Sequence, residues 1–222
     1  IAGPETSDAD FTWAEFVRRN NSELVAGWGN LVNRTAAMIA KNFGEIPAIG
    51  KTEPIDDELL GAVRGGFDTV GELIAHHHQR AALAELMRLV GEANTYVTRT
   101  EPFKLKAPEQ RERLSTVLGT LVQAVCDLNT MMSVFLPHSS NTIDTVLGGA
   151  GDLAPMPHLV EVEDLDGGEP YPIITGDYTD LHPWAPRDVV PGTPIAKPKP
   201  VFQKLDESVI AEELDRLGLG EE

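Results

Sequence analysis

Between Pro108 and Pro137, Leu114, Val117, Leu118, Leu121, Val122, Val125, Leu128, Met132 and Phe135 recur every three or four positions. That is the period of an α-helix, and it predicts one long helix opened by Pro108 and ended by Pro137. Three earlier segments repeat the pattern. Over Ser22 to Phe43, a projection at about 100° per residue puts Leu24, Trp28, Leu31, Thr35, Met38, Ile39 and Asn42 on one side, and Asn30, Arg34 and Lys41 on the other. This helix starts at Thr12, where Glu15 completes a capping-box spacing, or restarts at Asn21-Ser22, and Gly44 ends it. Leu59, Leu60, Val63, Phe67, Val70 and Ile74 mark a second helix that Asp56 or Asp57 is placed to cap, with Gly65-Gly66 set to kink it or to admit a close neighbour. Leu83, Leu86, Met87, Val90 and Val97 mark a third, from about His78 to Val97, which Pro102 stops while holding Glu101 extended. Four long helices with short connections predict a mainly α protein built as an antiparallel bundle. A short fifth helix follows, capped by Ser139-Ser140 and closed by Gly148-Gly149.

The texture changes after Gly149. Ten of the sixteen prolines lie in residues 150–205, and pieces such as Leu159–Val162 and Tyr171–Thr175 are too isolated for a large sheet. The expected organisation is a helical bundle over 1–149, an extended arm over 150–205 lying on the bundle or on a partner surface, and a C-terminal helix within 206–222. In that last helix Ile210, Ala211, Leu214 and Leu217 share a face.

Charge limits the partners. The formal net charge is −17, which argues against nucleic-acid binding through bulk positive charge. Residues 1–149 carry 19 acids and 13 basic residues, whereas 150–222 carry 16 and 5, so most of the excess is C-terminal. Any RNA contact must then be local and use few phosphates. The single cysteine, Cys126, rules out a disulfide framework or a cysteine-based zinc site within the chain, and its apolar neighbours place it in the core. No apolar run approaches the ~20 residues of a membrane span, and no signal peptide is evident, which suits a cytoplasmic protein. A start at Ile1 suggests a fragment of something longer.

Individual motifs remain open. His76-His77-His78 lacks the i, i+4 spacing of metal ligands on a helix and reads as a solvated helix end. The Gly-Gly pairs match no phosphate loop, and no nucleophile–base or paired-carboxylate arrangement stands out. Asn30 and Arg34 are either inert surface groups or a polar reading face. Phe103, after Pro102 and among Arg99, Lys104 and Lys106, either seals the bundle or offers a stacking platform flanked by phosphate-binding groups.

In order along the chain, Gly29-Asn30-Leu31-Val32-Asn33-Arg34, Asn94-Thr95-Tyr96 leading to Glu101-Pro102-Phe103-Lys104-Leu105, Phe135-Leu136-Pro137, and Pro191-Gly192-Thr193-Pro194 before Lys199-Pro200-Val201-Phe202 resemble the C-terminal part of methionyl-tRNA synthetases. The resemblance implies the anticodon-binding bundle of a class I synthetase. It assigns Asn30 and Arg34 to the CAU anticodon of methionine tRNA, and Pro102 and Phe103 to a Pro-Trp pair that stacks a base. Phenylalanine in place of tryptophan keeps the stack and loses the indole N–H. The catalytic half of the family, with its HIGH-like and KMSKS-like motifs and usual zinc knuckle, has no counterpart here. The resemblance therefore implies a piece of a methionine–tRNA ligase that does not activate methionine by itself, with the arm over 150–205 packing on the bundle or, like the final helix, back toward the missing catalytic domain. The piece needs no cofactor of its own, ATP and Mg2+ serving the missing catalytic domain. The parent is expected to be monomeric, because the extra dimerising RNA-binding domain of some relatives is absent. The same domain of another class I synthetase, such as the cysteine or isoleucine enzyme, and a helical protein-interaction module without RNA are the competing readings.

Overall fold

The computed structural model describes residues 10–176, 182–196 and 199–219. Its helices are α1 (Trp13–Arg19), α2 (Asn30–Asn42), α3 (Pro54–Ala75), α4 (Gln79–Thr100), α5 (Arg111–Met132), α6 (Pro137–Val146) and α7 (Ser208–Arg216). A π-helical stretch, Asn20–Gly29, joins α1 to α2 in one continuous rod, so the helix does not restart at Asn21-Ser22. Thr12 caps the rod through Glu15 N–H at 3.2 Å. The Glu15 side chain turns to Arg18 and Arg19 instead of closing the capping box.

Helix α5 is the axis of the bundle. It is buried on every side from Thr116 to Met132, and α2, α3, α4 and α6 pack around it. The core joins its leucines and valines to Trp28, Leu31 and Ile39 from the rod, Val63 and Phe67 from α3, and Leu86 and Leu89 from α4. Gly66 admits a close neighbour: a Cβ there would meet Leu89 and Met131, and α3 runs through Gly65-Gly66 unbroken. Gly119 does the same for the loop after α2, whose Pro47 carbonyl would lie 2.9 Å from an added Cβ.

Several helix ends differ from expectation. Glu53, not Asp56 or Asp57, is the N-cap of α3, and Asp56 is the N3 member of its capping box. Glu101 is left-handed (φ 43°, ψ 53°) rather than extended, because it is the C-cap of α4. Its N–H donates to the Val97 carbonyl, and Lys104 N–H returns to its own carbonyl at 2.8 Å. Pro108 opens a 3-10 turn, Pro108–Gln110, before α5 begins. Pro137 does not end α5, which stops at Met132; it opens α6, whose first position suits a residue without an N–H, and Ser139-Ser140 lie inside that helix.

Outside the exposed hairpin formed by residues 158–175, the described parts of the arm lie across the bundle. Gln123 on α5 mimics a strand edge: its Nε2 donates to the Arg187 carbonyl at 3.0 Å and its Oε1 accepts from Val189 N–H at 2.9 Å. Asp127, one turn later, accepts from Arg187 N–H at 3.0 Å, and the Arg187 guanidinium pairs with Asp144 of α6. Farther along, Ile46 and Thr193 pair through their backbones, with a bridge at Glu45–Pro194. Val201 and Phe202 pack on the core, and Asn21 exchanges both hydrogen bonds with Leu205 at 2.9 Å. A Cβ on Gly29 would lie 2.9 Å from the Phe202 ring, so glycine permits that seat. Pro198 of the arm lies outside the described residues. The strand-like pieces form one antiparallel hairpin, β1 (His158–Val162) with β2 (Tyr171–Thr175). Cys126 is buried, and burial raises its thiol pKa.

Two buried carboxylates behave oppositely. Asp56 accepts Tyr96 Oη at 2.6 Å, both Nη groups of Arg113, and Glu53 N–H. Burial pushes its pKa up, but those hydrogen bonds outweigh burial and hold it below the ordinary range. Its contribution to stability is therefore full above the unfolded value of ~3.9 and is lost as pH falls through the folded value. Asp127 is raised, chiefly by burial, so its ionised form is the disfavoured one in the fold. Asp56→Asn, which leaves the part-buried Arg113 guanidinium with the exposed Glu53 carboxylate at 3.3 Å as its ion-pair partner, is expected to cost about 2–3 kcal/mol in urea unfolding at pH 7. Asp127→Asn keeps an acceptor for Arg187 N–H and is expected to be neutral or stabilising at pH 8. Equal losses in the two variants would contradict this distinction.

Candidate nucleic-acid interface

The four residues singled out by sequence fall in two places, on α2 and in the turn after α4. Asn30 opens α2 and is exposed. Arg34, one turn on, does not lie on a solvated outer face. It is wedged against α4, where its Nη2 donates to Asn94 Oδ1 at 2.7 Å. Asn94 is held in turn by donating to the Val90 carbonyl at 2.9 Å. The Arg34 Nε is buried without a hydrogen-bond acceptor, and burial lowers the guanidinium pKa.

This environment is unusual within the chain. Arg18, Arg19, Arg88, Arg113 and Arg187 all pair with carboxylates. Among the described residues Arg34 has no such partner; its one hydrogen bond is to a neutral amide. A half-buried cation without a paired anion carries a desolvation cost. It is also ready to donate to an acceptor arriving from solvent, because no carboxylate competes for it.

Pro102 and Phe103 follow α4 directly, in the turn Pro102–Lys104. The proline is buried and anchors the turn; the Phe103 ring is 55% exposed. An aromatic that sealed the bundle would be covered, so the packing alternative does not describe it. From Asn94 to the end of α4 is roughly 9 Å of helix at 1.5 Å per residue, so Asn94, which holds Arg34 of α2, and the Phe103 turn belong to the last turns of the same helix. The flanking cations are partly committed: Lys104 pairs with Glu101 at 2.7 Å, and Arg99 lies 3.9 Å from Glu58.

The Asp56 network fixes this end of the molecule. It ties the start of α3 to Tyr96 near the end of α4 and to Arg113 at the start of α5. Arg111 adds a bond to the Asn42 carbonyl at 3.1 Å and stacks on Phe43 with 4.5 Å to the ring centroid. Four helix ends thus meet where the exposed ring emerges. The sequence alone offers Asp56 as a helix cap and Asn94 as part of a motif, and gives neither of them, nor Arg113, the partner it has here. The available signal was a polar residue within or at the edge of an apolar period, which marks a group that must find a partner once buried. The three histidines are exposed, with His76 Nδ1 against the Glu72 carbonyl at 2.8 Å.

Comparison with known proteins follows from this geometry. The family model for class I tRNA synthetases (M) matches residues 1–36. A methionine–tRNA ligase of Nocardioides sp. is 57% identical over 216 residues, covering 97% of this chain and 36% of that protein. Its counterpart from Beutenbergia cavernae is 55% identical over 224 residues, covering 99% and 36%. The chain thus spans about a third of the length of these relatives. Among solved structures, the apo form of Mycobacterium tuberculosis methionyl-tRNA synthetase superposes with a TM-score of 0.73 at 22% identity, over 92% of this chain and 37% of that one. The same enzyme in complex with methionyl-adenylate gives 0.71 at 23% identity, over 90% and 35%. At those identities the superpositions establish the shared fold.

Asn94→Ala removes the one partner of Arg34. The expected cost is about 1–2 kcal/mol of unfolding free energy, since a half-buried charged donor loses its acceptor while part of it still reaches water. Denaturant titration that finds no change would show that Asn94 does not hold the guanidinium.

Proposed function

The chain belongs with the methionyl-tRNA synthetases, as one part of such an enzyme, and on that premise we propose that its bundle reads the CAU anticodon of methionine tRNA. The observation that carries this reading is the half-buried Arg34 guanidinium, bonded to a neutral amide and to no carboxylate. The exposed Phe103 ring on the adjoining turn supports it. Anticodon bases leave their stack, and one lies on the Phe103 face. Arg34 donates to base edges, and the Asn30 amide both donates to and accepts from them, which distinguishes one base from another in a single strand. Pro102 sets the turn, and Asn94 keeps Arg34 from collapsing onto the surface. The phenyl ring supplies a π-face and no N–H donor, so specificity at the stacked position rests on Arg34 and Asn30.

In the parent enzyme this piece aligns the tRNA while the part outside this chain activates methionine with ATP and Mg2+ and transfers it. On this reading the parent works in the cytoplasm. Among the described residues no helix is long and apolar enough to cross a membrane.

Base–aromatic stacks are worth about 1–3 kcal/mol, so Phe103→Ala in the full-length enzyme is expected to lower kcat/KM for tRNA charging by roughly 5- to 150-fold. Initiator and elongator methionine tRNA should suffer alike, with methionine-dependent ATP–pyrophosphate exchange unchanged. Undiminished charging would remove the stacking role. Binding should also depend weakly on salt, because few cations are free to replace counterions. A steep slope in a log Kd against log salt plot would point to bulk electrostatic binding instead.

A further inference from the structure

The hairpin β1–β2 has no cover on either face. Paired residues share a face, so Leu159 with Ile174 lies on one side next to Glu161 with Pro172, while Val160 with Ile173 and Val162 with Tyr171 lie on the other next to His158 with Thr175, and each face carries exposed aliphatic side chains. Leu159 is 69% and Ile174 75% exposed, and only the last residue of each strand is partly buried. A two-stranded ribbon alone is marginally stable in water, and an apolar surface on both sides of it requires a seat.

Position in the fold names the occupant. The Asp56 network gathers the ends of α2 and α4 and the starts of α3 and α5 at one pole. The hairpin springs from the opposite pole. Before it, Asn141 of α6 clasps Ala154 by two hydrogen bonds, 2.9 and 2.7 Å. After it, Trp184 donates to the Phe67 carbonyl at 2.8 Å and rests on Gly71 in the second half of α3. The rod also begins at that pole, with Phe11 and Phe16 exposed beside its first turn. The relatives are nearly three times as long as this chain, and the synthetase family model matches its first 36 residues. The remainder of such an enzyme therefore enters at the pole from which the hairpin projects. A second copy of this chain is the poorer fit: the formal charge is −17, and the ribbon's loop carries Glu163, Asp164, Asp166 and Glu169.

We infer that the β1–β2 ribbon is an interdomain finger, its two apolar faces seated in a groove of the catalytic part that precedes residue 1 in the full-length enzyme, with basic groups at the groove's rim meeting the acidic loop. This rests on the reading of the chain as part of a methionine–tRNA ligase. Both faces being apolar makes it a finger gripped from two sides rather than a lid laid on a surface. It would fix the angle between the bundle and the rest of the enzyme.

The test uses the full-length enzyme with a photo-activated benzophenone amino acid at position 174. Intramolecular adducts to the sequence upstream of residue 1 are expected. Adducts between two copies, adducts to tRNA, adducts confined to the bundle, or no adduct would each overturn the inference. A second measurement does not depend on that residue being tolerated. In hydrogen exchange of full-length Leu159→Asp/Ile174→Asp, a stretch upstream of residue 1 should exchange at least fivefold faster than in the wild type; unchanged exchange there would overturn it. Methionine-dependent ATP–pyrophosphate exchange by the wild type tests the parent reading separately, so absence of that activity would be told apart from a bare hairpin.

Discussion

Everything in this fold depends on α5 being enclosed on all sides. A helix so buried excludes water from its polar groups, and each of them needs a partner from the protein. Gln123 and Asp127 find theirs in the backbone of the arm at Arg187 and Val189, and Asn129 donates to the Ser140 carbonyl at 2.9 Å. The arm is thus the fifth wall of the bundle along α5. Its route is dictated by side chains that would otherwise be buried without hydrogen bonds. The same logic explains why an extended, proline-rich segment is held: it brings unpaired backbone groups to helices that offer side-chain donors and acceptors.

The enclosed axis also explains the rigidity of the candidate interface. The start of α5 carries Arg113, whose pairing with Asp56 locks the start of α3, and Asp56 in turn holds Tyr96 near the end of α4. The Phe103 turn emerges between α4 and α5, braced on both sides. Arg34 is braced separately through Asn94. A reading surface of this kind gains affinity from being formed before the ligand arrives, because little side-chain freedom remains to be lost.

Much of this was legible in the residues. The helical periods were plain because each long helix has a single dominant apolar stripe, and Leu114 to Met132 is the clearest. Helix ends were less so. Pro137 was read as a stop for the helix before it, yet a proline serves equally well as the first residue of the next, and only the backbone decides. Glu101 before Pro102 broke the local rule because closing α4 on the Val97 carbonyl outweighed the preference of a pre-proline residue for extended geometry. The π-helical stretch left no periodic signature in ten residues; Gly27 and Gly29 within it matter for what approaches them, which is long-range information. At the candidate interface the environment of the residues was not legible. A helical projection put Arg34 on the outer face, whereas the neighbour that half-buries it, Asn94, comes from a helix 60 positions away.

On the proposed reading, a preformed guanidinium, amide and phenyl ring discriminate single-stranded bases. The most direct measurement is equilibrium binding of 17-nucleotide-scale anticodon stem-loops (~17 nucleotides is ample for one loop and a short stem) to the full-length enzyme at fixed salt, comparing CAU with loops altered at one anticodon base. Tenfold or greater weakening for each altered base, about 1.4 kcal/mol, is the predicted result. Equal affinity for all the loops would contradict the claim.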